Sequence, residues 1–252
     1  MIQLKNVSLR LGQHCVLGDI NASIGAPGLT AIIGPNGAGK SSLLSVMSRL
    51  QPPTEGIVLL DGKNLHDLPG NTVAKQLSLL RQENHLVSRL TVADLVCFGR
   101  FPYHKGRPGK SDWEKIQQCL TLLELDSIRH RYLDQLSGGQ KQRAFIAMIL
   151  AQDTPYILLD EPLNNLDMKH GVAIMKTLKK AAKTSQKRVI MVLHDINFAS
   201  VYCDFIVAMQ NGGITHQGRT EEIMDSAVLS DIYQMSMRVE EFHQQRICFY
   251  YQ

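Results

Sequence analysis

The sequence has little cysteine. Its five cysteines, Cys15, Cys97, Cys119, Cys203 and Cys248, are far apart, odd in number and form no C-x-x-C pair. That spacing argues against a disulfide framework or a zinc site and points to a reducing compartment. Long apolar runs are missing too: no stretch approaches the ~18–20 apolar residues needed to span a bilayer. The start, Met1-Ile-Gln-Leu-Lys-Asn-Val-Ser-Leu-Arg10, alternates like a strand and lacks the apolar centre of a signal peptide. A cytoplasmic chain is expected, with any membrane role supplied through a partner. Strong charge of one sign is also lacking. The formal net charge is +4, whereas a dedicated nucleic-acid binder shows a clustered basic stripe. Lys179, Lys180, Lys183, Lys187 and Arg188 do cluster, but they read as a solvated helix face and the turn after it. No nucleic-acid partner is expected. Internal repeats and low-complexity segments are absent.

What remains is an ordinary globular composition, 44% apolar and 20% charged over 252 residues. At about 150 residues per domain, this is one large domain or two small ones. The first ~80 residues read as strands and turns broken by one helix. Ile2, Leu4, Val7 and Leu9 alternate with polar residues; Val16 to Ile24 suggests a second strand. Leu29-Thr-Ala-Ile-Ile33 is a short buried strand running into a glycine-rich loop, and a helix from about Ser41 to Leu50 stops before Pro52-Pro53. Ile57 to Leu60 is a strand ending in the tight turn Asp61-Gly62.

From about Asn84 to Leu150 the texture turns helical. Thr91 is a candidate cap for a helix through Phe98, Gly99 to Lys110 reads as a loop, and Ser111 and Glu114 stand in capping-box positions for the next helix. Buried strands return at Tyr156-Ile-Leu-Leu159 and Val189-Ile-Met-Val-Leu193, separated by a helix from about Met168 to Lys183. Apolar runs alternating with helices imply a parallel sheet covered on both faces, interrupted by a helical insert.

Gly34-Pro35-Asn36-Gly37-Ala38-Gly39-Lys40-Ser41 matches G-x-x-x-x-G-K-[ST]. It has the confirming context, a buried strand before and a helix after. Glycines let successive N–H groups curl inward onto phosphate oxygens, and the helix N-terminus adds partial positive charge. An ATP site is expected: Lys40 would reach the β- and γ-phosphates, Ser41 would ligate Mg²⁺, and Ser42 would add a phosphate contact.

In Tyr156-Ile-Leu-Leu-Asp160-Glu161-Pro162 an apolar strand ends in acids at the carboxyl edge of the sheet, where α/β ligands sit. Asp160 is the expected Mg²⁺ partner, and Glu161 is placed to polarise the attacking water as general base. His194 ends the next buried strand. A lone histidine is more often a satisfied structural group; here it stands where it could meet the γ-phosphate and hold the water. Gln82 ends Leu77-Ser-Leu-Leu-Arg-Gln82 and could see the same Mg²⁺–water group, a reading that spacing alone leaves open.

Leu136-Ser137-Gly138-Gly139-Gln140 precedes a good helix, Lys141 to Leu150. Ser-Gly-Gly at a helix N-terminus is a second anion-binding surface. One nucleotide has one triphosphate, which the loop Gly34 to Ser41 already takes, so the second surface must serve something else.

Together with Asn164-Asn165-Leu166-Asp167, these motifs resemble, in order and spacing over nearly the whole chain, the ATP-binding subunits of ABC transporters. L-S-G-G-Q is the most family-specific of them. The resemblance implies an α/β fold, a P-loop NTPase (RecA-like) core with an antiparallel β subdomain and an inserted α-helical subdomain. It implies one ABC ATPase domain over 1–252: 1–83 and 152–217 as the nucleotide-binding core with its β subdomain, 84–151 as the helical part, and 218–252 as a small tail. It also implies a head-to-tail dimer glued by ATP, in which Ser137, Gly138, Gly139 and Gln140 of one copy close on the γ-phosphate held by the other. Asn164 to Asp167 would carry contacts between the two sites, and the motion would pass to membrane permease subunits.

Two departures stand out. The family usually stacks an aromatic residue on adenine near Leu11-Gly12; Leu11 stands in that place, with His14 or Tyr103 as possible compensation. Asn165 replaces a residue that is commonly small. Val96-Cys-Phe-Gly-Arg-Phe-Pro-Tyr103 resembles the G-R-x-P-[HY] stretch of iron-chelate and vitamin B12 importers, and the segments after Gln140, Pro162 and His194 resemble the ferric siderophore branch most closely. The resemblance thus implies a bacterial importer subunit, peripheral on the cytoplasmic face of the plasma membrane. It would serve separate permeases and, indirectly, a periplasmic or surface substrate-binding protein. Haem or vitamin B12 as cargo, and a soluble non-transport ABC ATPase, are the alternatives.

Overall fold

The computed structural model describes residues 1–82 and 89–251. The chain opens with the hairpin β1 (Ile2–Leu11) and β2 (His14–Ile24). The apolar alternation of β1 slips between Leu4 and Val7. The cause is Asn6, which takes φ 51° at a register shift, so that Ile2 and Leu4 and then Val7 and Leu9 can all face inward. After β3 (Gly28–Ile33) and α1 (Lys40–Met47) come β4 (Glu55–Leu60) and the two-residue β5 (Lys63–Asn64). They are joined by Asp61-Gly62, both at positive φ as a tight hairpin turn requires. These outer strands form an antiparallel sheet in the order β2-β1-β4-β5.

A short helix, α2 (Gly70–Gln76), leads into β6 (Leu77–Leu80). The reading of one helix before residue 80 therefore missed α2, which has no side-chain cap to announce it. The expectation at Asn84 falls outside the described residues.

The helical part holds α3 (Val92–Phe98), α4 (Phe101–His104), α5 (Lys110–Leu122) and α6 (Gly138–Ala151). Thr91 caps α3 as expected, with the Asp94 carboxylate returning to its N–H. The expected loop at Gly99–Lys110 contains α4 instead. The capping box expected at Ser111 is displaced: α5 starts at Lys110, and the Asp112 carboxylate accepts from the Gly109 N–H at 2.9 Å. The same carboxylate takes the Arg100 guanidinium at 3.0 Å, and Arg100 also donates to the Ala151 carbonyl. This hub joins the turn between α3 and α4 to α5 and α6, so tertiary pairing selects the cap.

The second half adds β7 (Tyr156–Asp160), α7 (Met168–Ser185), β8 (Arg188–Val192), α8 (Ile196–Tyr202), β9 (Phe205–Gln210) and β10 (Gly213–Arg219). The main sheet runs β10-β9-β3-β8-β7-β6, parallel except for the β9–β10 pair. Its parallel strands are largely buried on both faces, whereas the edge strand β10 is partly exposed. Ala31 and Ile33 point into the apolar layer built with α3, α5, α6 and α7, while Ile32 points into the layer shared with α1 and the antiparallel sheet. A tail of α9 (Thr220–Ile223), α10 (Ser226–Tyr233) and the hairpin β11 (Arg238–Phe242) and β12 (Gln245–Phe249) packs on the first layer. The segment Arg246-Ile-Cys-Phe-Tyr-Tyr251 reads from sequence as a final strand, and β12 covers most of it; β11 was not expected.

The topology puts four neighbouring strand ends on one edge. β3 delivers the glycine loop, β8 delivers His194, β7 delivers Asp160 and Glu161, and β6 delivers Gln82. This is the carboxyl edge at which open α/β sheets hold ligands.

Candidate functional site

The loop from Gly34 to Gly39 turns sharply. Gly34, Gly37 and Gly39 take φ 140°, 78° and 94°. A Cβ on Gly34 would sit 2.1 Å from the Met209 carbonyl, so β9 presses directly on the back of the loop. Among the described residues, the backbone N–H groups of Asn36, Gly37, Gly39, Lys40, Ser41 and Ser42 meet no protein acceptor. They surround a helix start with its partial positive charge, and this is the donor set a polyphosphate needs. Lys40 is 6% exposed and folds its ammonium over the loop, donating to the Gly34 carbonyl at 2.9 Å and the Pro35 carbonyl at 2.8 Å. Burial draws its pKa below the ordinary lysine value, while Glu161 and Asp160 oppose that shift.

Asp160, 8% exposed, accepts the Ser41 hydroxyl at 3.0 Å. Burial raises its carboxyl pKa; the Ser41 bond works against this and the neighbouring Glu161 charge adds to it. A hydroxyl and a carboxylate side by side suit a hard cation. Mg²⁺ is usually held by one or two carboxylates together with phosphates and waters. It needs no larger cluster, and none of three or more His, Cys, Asp or Glu exists among the described residues.

Glu161 sits at φ 49°, an uncommon conformation for a residue with a Cβ, and its side chain is 9% exposed. Its Oε1 lies 2.6 Å from His194 Nε2, and its Oε2 accepts from Gln82 Nε2 at 2.8 Å and from the Asn164 amide. Three strand ends and the following loop thus converge on one carboxylate. Val16, Asn36, Gly37, Gly39, Lys40, Ser41, Ser42, Gln82, Glu161 and His194 line a cleft of about 450 Å³. A larger groove of about 690 Å³, between α8, β10 and the tail, contains none of the motif residues.

Ser137 to Gln140 lie elsewhere. Ser137 caps α6, its Oγ accepting the Gln140 N–H at 3.3 Å while Gln140 Oε1 accepts the Ser137 N–H. Gly138 and Gly139 pack beside Asn165 and Leu166, and Gln142 donates to the Pro162 carbonyl at 2.9 Å. The segment therefore touches the loop that follows Glu161 rather than the cleft. Asn165 takes φ 63°, a region asparagine tolerates better than other residues with a Cβ, and this accounts for its presence there.

Leu11 stands near the tip of the first hairpin, 47% exposed, and is not among the residues of the cleft; Val16, across the hairpin, is. Sequence reasoning missed three contributors: Val16, Asn164 against Glu161, and Tyr233, whose hydroxyl accepts the Gly34 N–H at 3.2 Å. An amide donor three residues after the acid was a visible signal for Asn164. Nothing local pointed to Tyr233.

An amide-lined loop with a buried lysine, and a Ser–Asp pair beside a caged carboxylate, define a nucleotide-binding α/β cassette of the P-loop kind. The ABC transporter family profile matches residues 17–164, more than half of the chain. This chain belongs to the ABC transporter family, as an ATP-binding, ATP-hydrolysing cassette. It is 50% identical over 251 residues to the petrobactin import ATP-binding protein YclP of Bacillus subtilis (strain 168), covering 100% of each chain. It is 45% identical over 239 residues to the petrobactin import ATP-binding protein FatE of Bacillus anthracis, covering 95% of this chain and 96% of that one. The ferric enterobactin transport ATP-binding protein FepC of Escherichia coli (strain K12) is 36% identical over 231 residues, with 91% and 85% covered. Among solved structures, a dimeric bacterial ABC transporter cassette superposes with TM-score 0.79 at 33% identity over 87% of this chain and 99% of that chain. An inward-facing metal-chelate type ABC transporter shares the fold with TM-score 0.82 at 21% identity, covering 98% and 95%.

Proposed function

We propose that this chain energises import of a ferric siderophore, with petrobactin the first candidate, by hydrolysing ATP beneath separate membrane permease subunits. End-to-end likeness to the petrobactin subunit at 50% identity carries the cargo; no residue here would touch the chelate. Among the described residues no helix is long and apolar enough to cross a membrane, so the chain would act from the cytoplasmic face through its permeases. Phe98, Phe101 and Tyr103 present exposed aromatic surface around α4 and are the surface offered to them.

In this reading the unpartnered amides of the loop and Lys40 hold the phosphates. Ser41, Asp160 and Gln82 would hold Mg²⁺, which neutralises phosphate charge there. Glu161 accepts the proton of the attacking water, and His194, at 2.6 Å from Glu161, holds that water against the γ-phosphate. Val16 supplies the apolar wall beside the nucleotide, with Leu11 further out. Ser137, Gly138, Gly139 and Gln140 complete the site from a second copy; none of them lines this chain's own cleft. A binding protein outside the membrane delivers the chelate to the permease.

The test is iron uptake from ferric petrobactin in a strain lacking this gene. The wild-type gene should restore uptake and Lys40→Ala should not. Undiminished uptake in the deletion strain would overturn the assignment of cargo, and restoration by Lys40→Ala would overturn the ATP requirement.

A further inference from the structure

The tail touches two neighbouring strand ends of the catalytic edge, those of β3 and β8. β3 and β8 are neighbours, and Leu193 N–H donates to the Ile32 carbonyl at 3.1 Å as the strands run out. Among the described residues no backbone bond joins the Gly34 and His194 loops beyond that point. A second route joins them through the tail. Tyr233 ends α10, and its hydroxyl accepts the Gly34 N–H at 3.2 Å, while Lys40 holds the carbonyl of the same residue. Burial pushes the Tyr233 hydroxyl up to about 12, partly offset by the Gly34 bond, so it stays protonated at neutral pH. From α10, the Ser226 hydroxyl accepts the Val239 N–H at 2.9 Å and the Ser230 hydroxyl accepts the Met237 N–H at 3.0 Å, which anchors β11. β12 pairs with β11, and Asn197 reads β12 as a neighbouring strand would. Asn197 Oδ1 accepts the Cys248 N–H at 2.8 Å and its Nδ2 donates to the Cys248 carbonyl at 3.2 Å. Asn197 lies on the first turn of α8, whose cap, Asp195, follows His194 directly and accepts the Asn197 N–H at 2.8 Å.

We propose that residues 226–250 are a brace that holds the His194 turn in place relative to the phosphate loop. Tyr233 within the brace, and Asn197 on α8 where the brace docks, are the positioning residues. Tyr233 sets the first peptide of the loop and so acts on ATP binding. Asn197 sets the helix after His194 and so acts on the chemical step. The proposal deepens the ATPase reading and rests on it.

The test uses the full chain with Tyr233→Phe, Asn197→Ala and the double variant, measuring ATP affinity, kcat, KM and Tm. Tyr233→Phe should weaken ATP binding about 3- to 10-fold, the range for losing one hydrogen bond, with kcat within about twofold. Asn197→Ala should lower kcat about tenfold with ATP affinity unchanged. The double variant should depart from the product of the two effects, because they share one brace. A brace that merely stabilises the fold would shift Tm and leave both kinetic constants alone, and that result would overturn the proposal. Tyr233→Phe removes a single oxygen, so unchanged ATP affinity in that variant overturns the proposal even if Asn197→Ala does not fold. A wild-type chain without turnover would instead overturn the ATPase reading, and the brace with it.

Discussion

Glu161→Gln separates binding from chemistry in this site. The glutamate carboxylate is caged: Oε1 lies 2.6 Å from His194 Nε2, and Oε2 accepts from Gln82 at 2.8 Å and from Asn164. Glutamine has the same shape. Its carbonyl oxygen can keep both amide donors, and its NH₂ can then face His194, whose Nε2 accepts when the ring proton sits on Nδ1. No buried group loses its partner, so folding stability should change by less than about 1 kcal/mol. What disappears is the proton acceptor. General-base catalysis contributes roughly 10²–10⁴-fold, equivalent to about 3–5 kcal/mol of activation free energy. Phosphate release should fall by that factor while ATP affinity stays within a few-fold of wild type. ATP that cannot be hydrolysed should keep two copies together, so gel filtration with ATP should show a dimer. Turnover within about threefold of wild type would refute the role of Glu161, and a strictly monomeric profile with ATP would refute the composite site.

Lys40→Ala removes the buried ammonium that lines the cleft; losing charge-assisted contacts of about 3 kcal/mol should cut ATP affinity at least ~100-fold, read by nucleotide-binding titration. Gly34→Ala puts a Cβ 2.1 Å from the Met209 carbonyl at φ 140°; urea unfolding should show a loss of about 2–4 kcal/mol from strain and overpacking, and a loss under about 0.5 would be inconsistent with the close approach. Burial pushes the Asp112 carboxyl up, but the Gly109 amide and Arg100 outweigh it and hold it below its ordinary value of 3.8. A depressed carboxylate gives stability that is present above pH ~4 and lost as pH falls through the folded value, so the Tm gap between wild type and Asp112→Asn should narrow below pH ~4. Ser137→Asp keeps an acceptor for capping α6 but has no hydroxyl proton to give and places a negative charge where the partner's phosphate would lie; the helix should fold normally and ATP-dependent dimerisation should fail.

The chemistry in this chain is concentrated in features a few residues long, and those were legible. The loop from Gly34 to Ser41 carries its glycines, its lysine and its hydroxyl within one turn, between a buried strand and a helix. The acids Asp160 and Glu161 are marked by the apolar run that ends at them. Strand order was the harder part. Gln82 meets Glu161 because β6 and β7 are neighbours, across 79 residues, and no periodicity encodes which strands adjoin. Local patterns also lost to distant partners. The Ser111 cap gave way to Gly109 because Asp112 is claimed by Arg100. Val16 lines the cleft, whereas Leu11, near the hairpin tip, is exposed and does not. Tyr233, which reaches Gly34 across 199 residues, had no local signature at all.

Ser137 shows why structural and functional readings of one residue need not compete. Read as structure, it is a helix cap, and the Gln140 N–H on its Oγ satisfies that reading. Capping, however, uses only a lone pair of the hydroxyl; the O–H proton remains available to a phosphate oxygen. Aspartate caps a helix as well as serine does, so capping alone does not select serine. An acceptor facing its own helix and a donor facing outward are both required if α6 must stay rigid while it closes on a nucleotide held by another copy. Gly138 and Gly139 follow with no side chains to block the approach, and they rest on Asn165 and Leu166, in the loop whose Asn164 donates to Glu161. A displacement of α6 by the partner's nucleotide would therefore reach this chain's own Glu161 through a few direct contacts, which is the physical basis for expecting two sites that fire together rather than two independent ones.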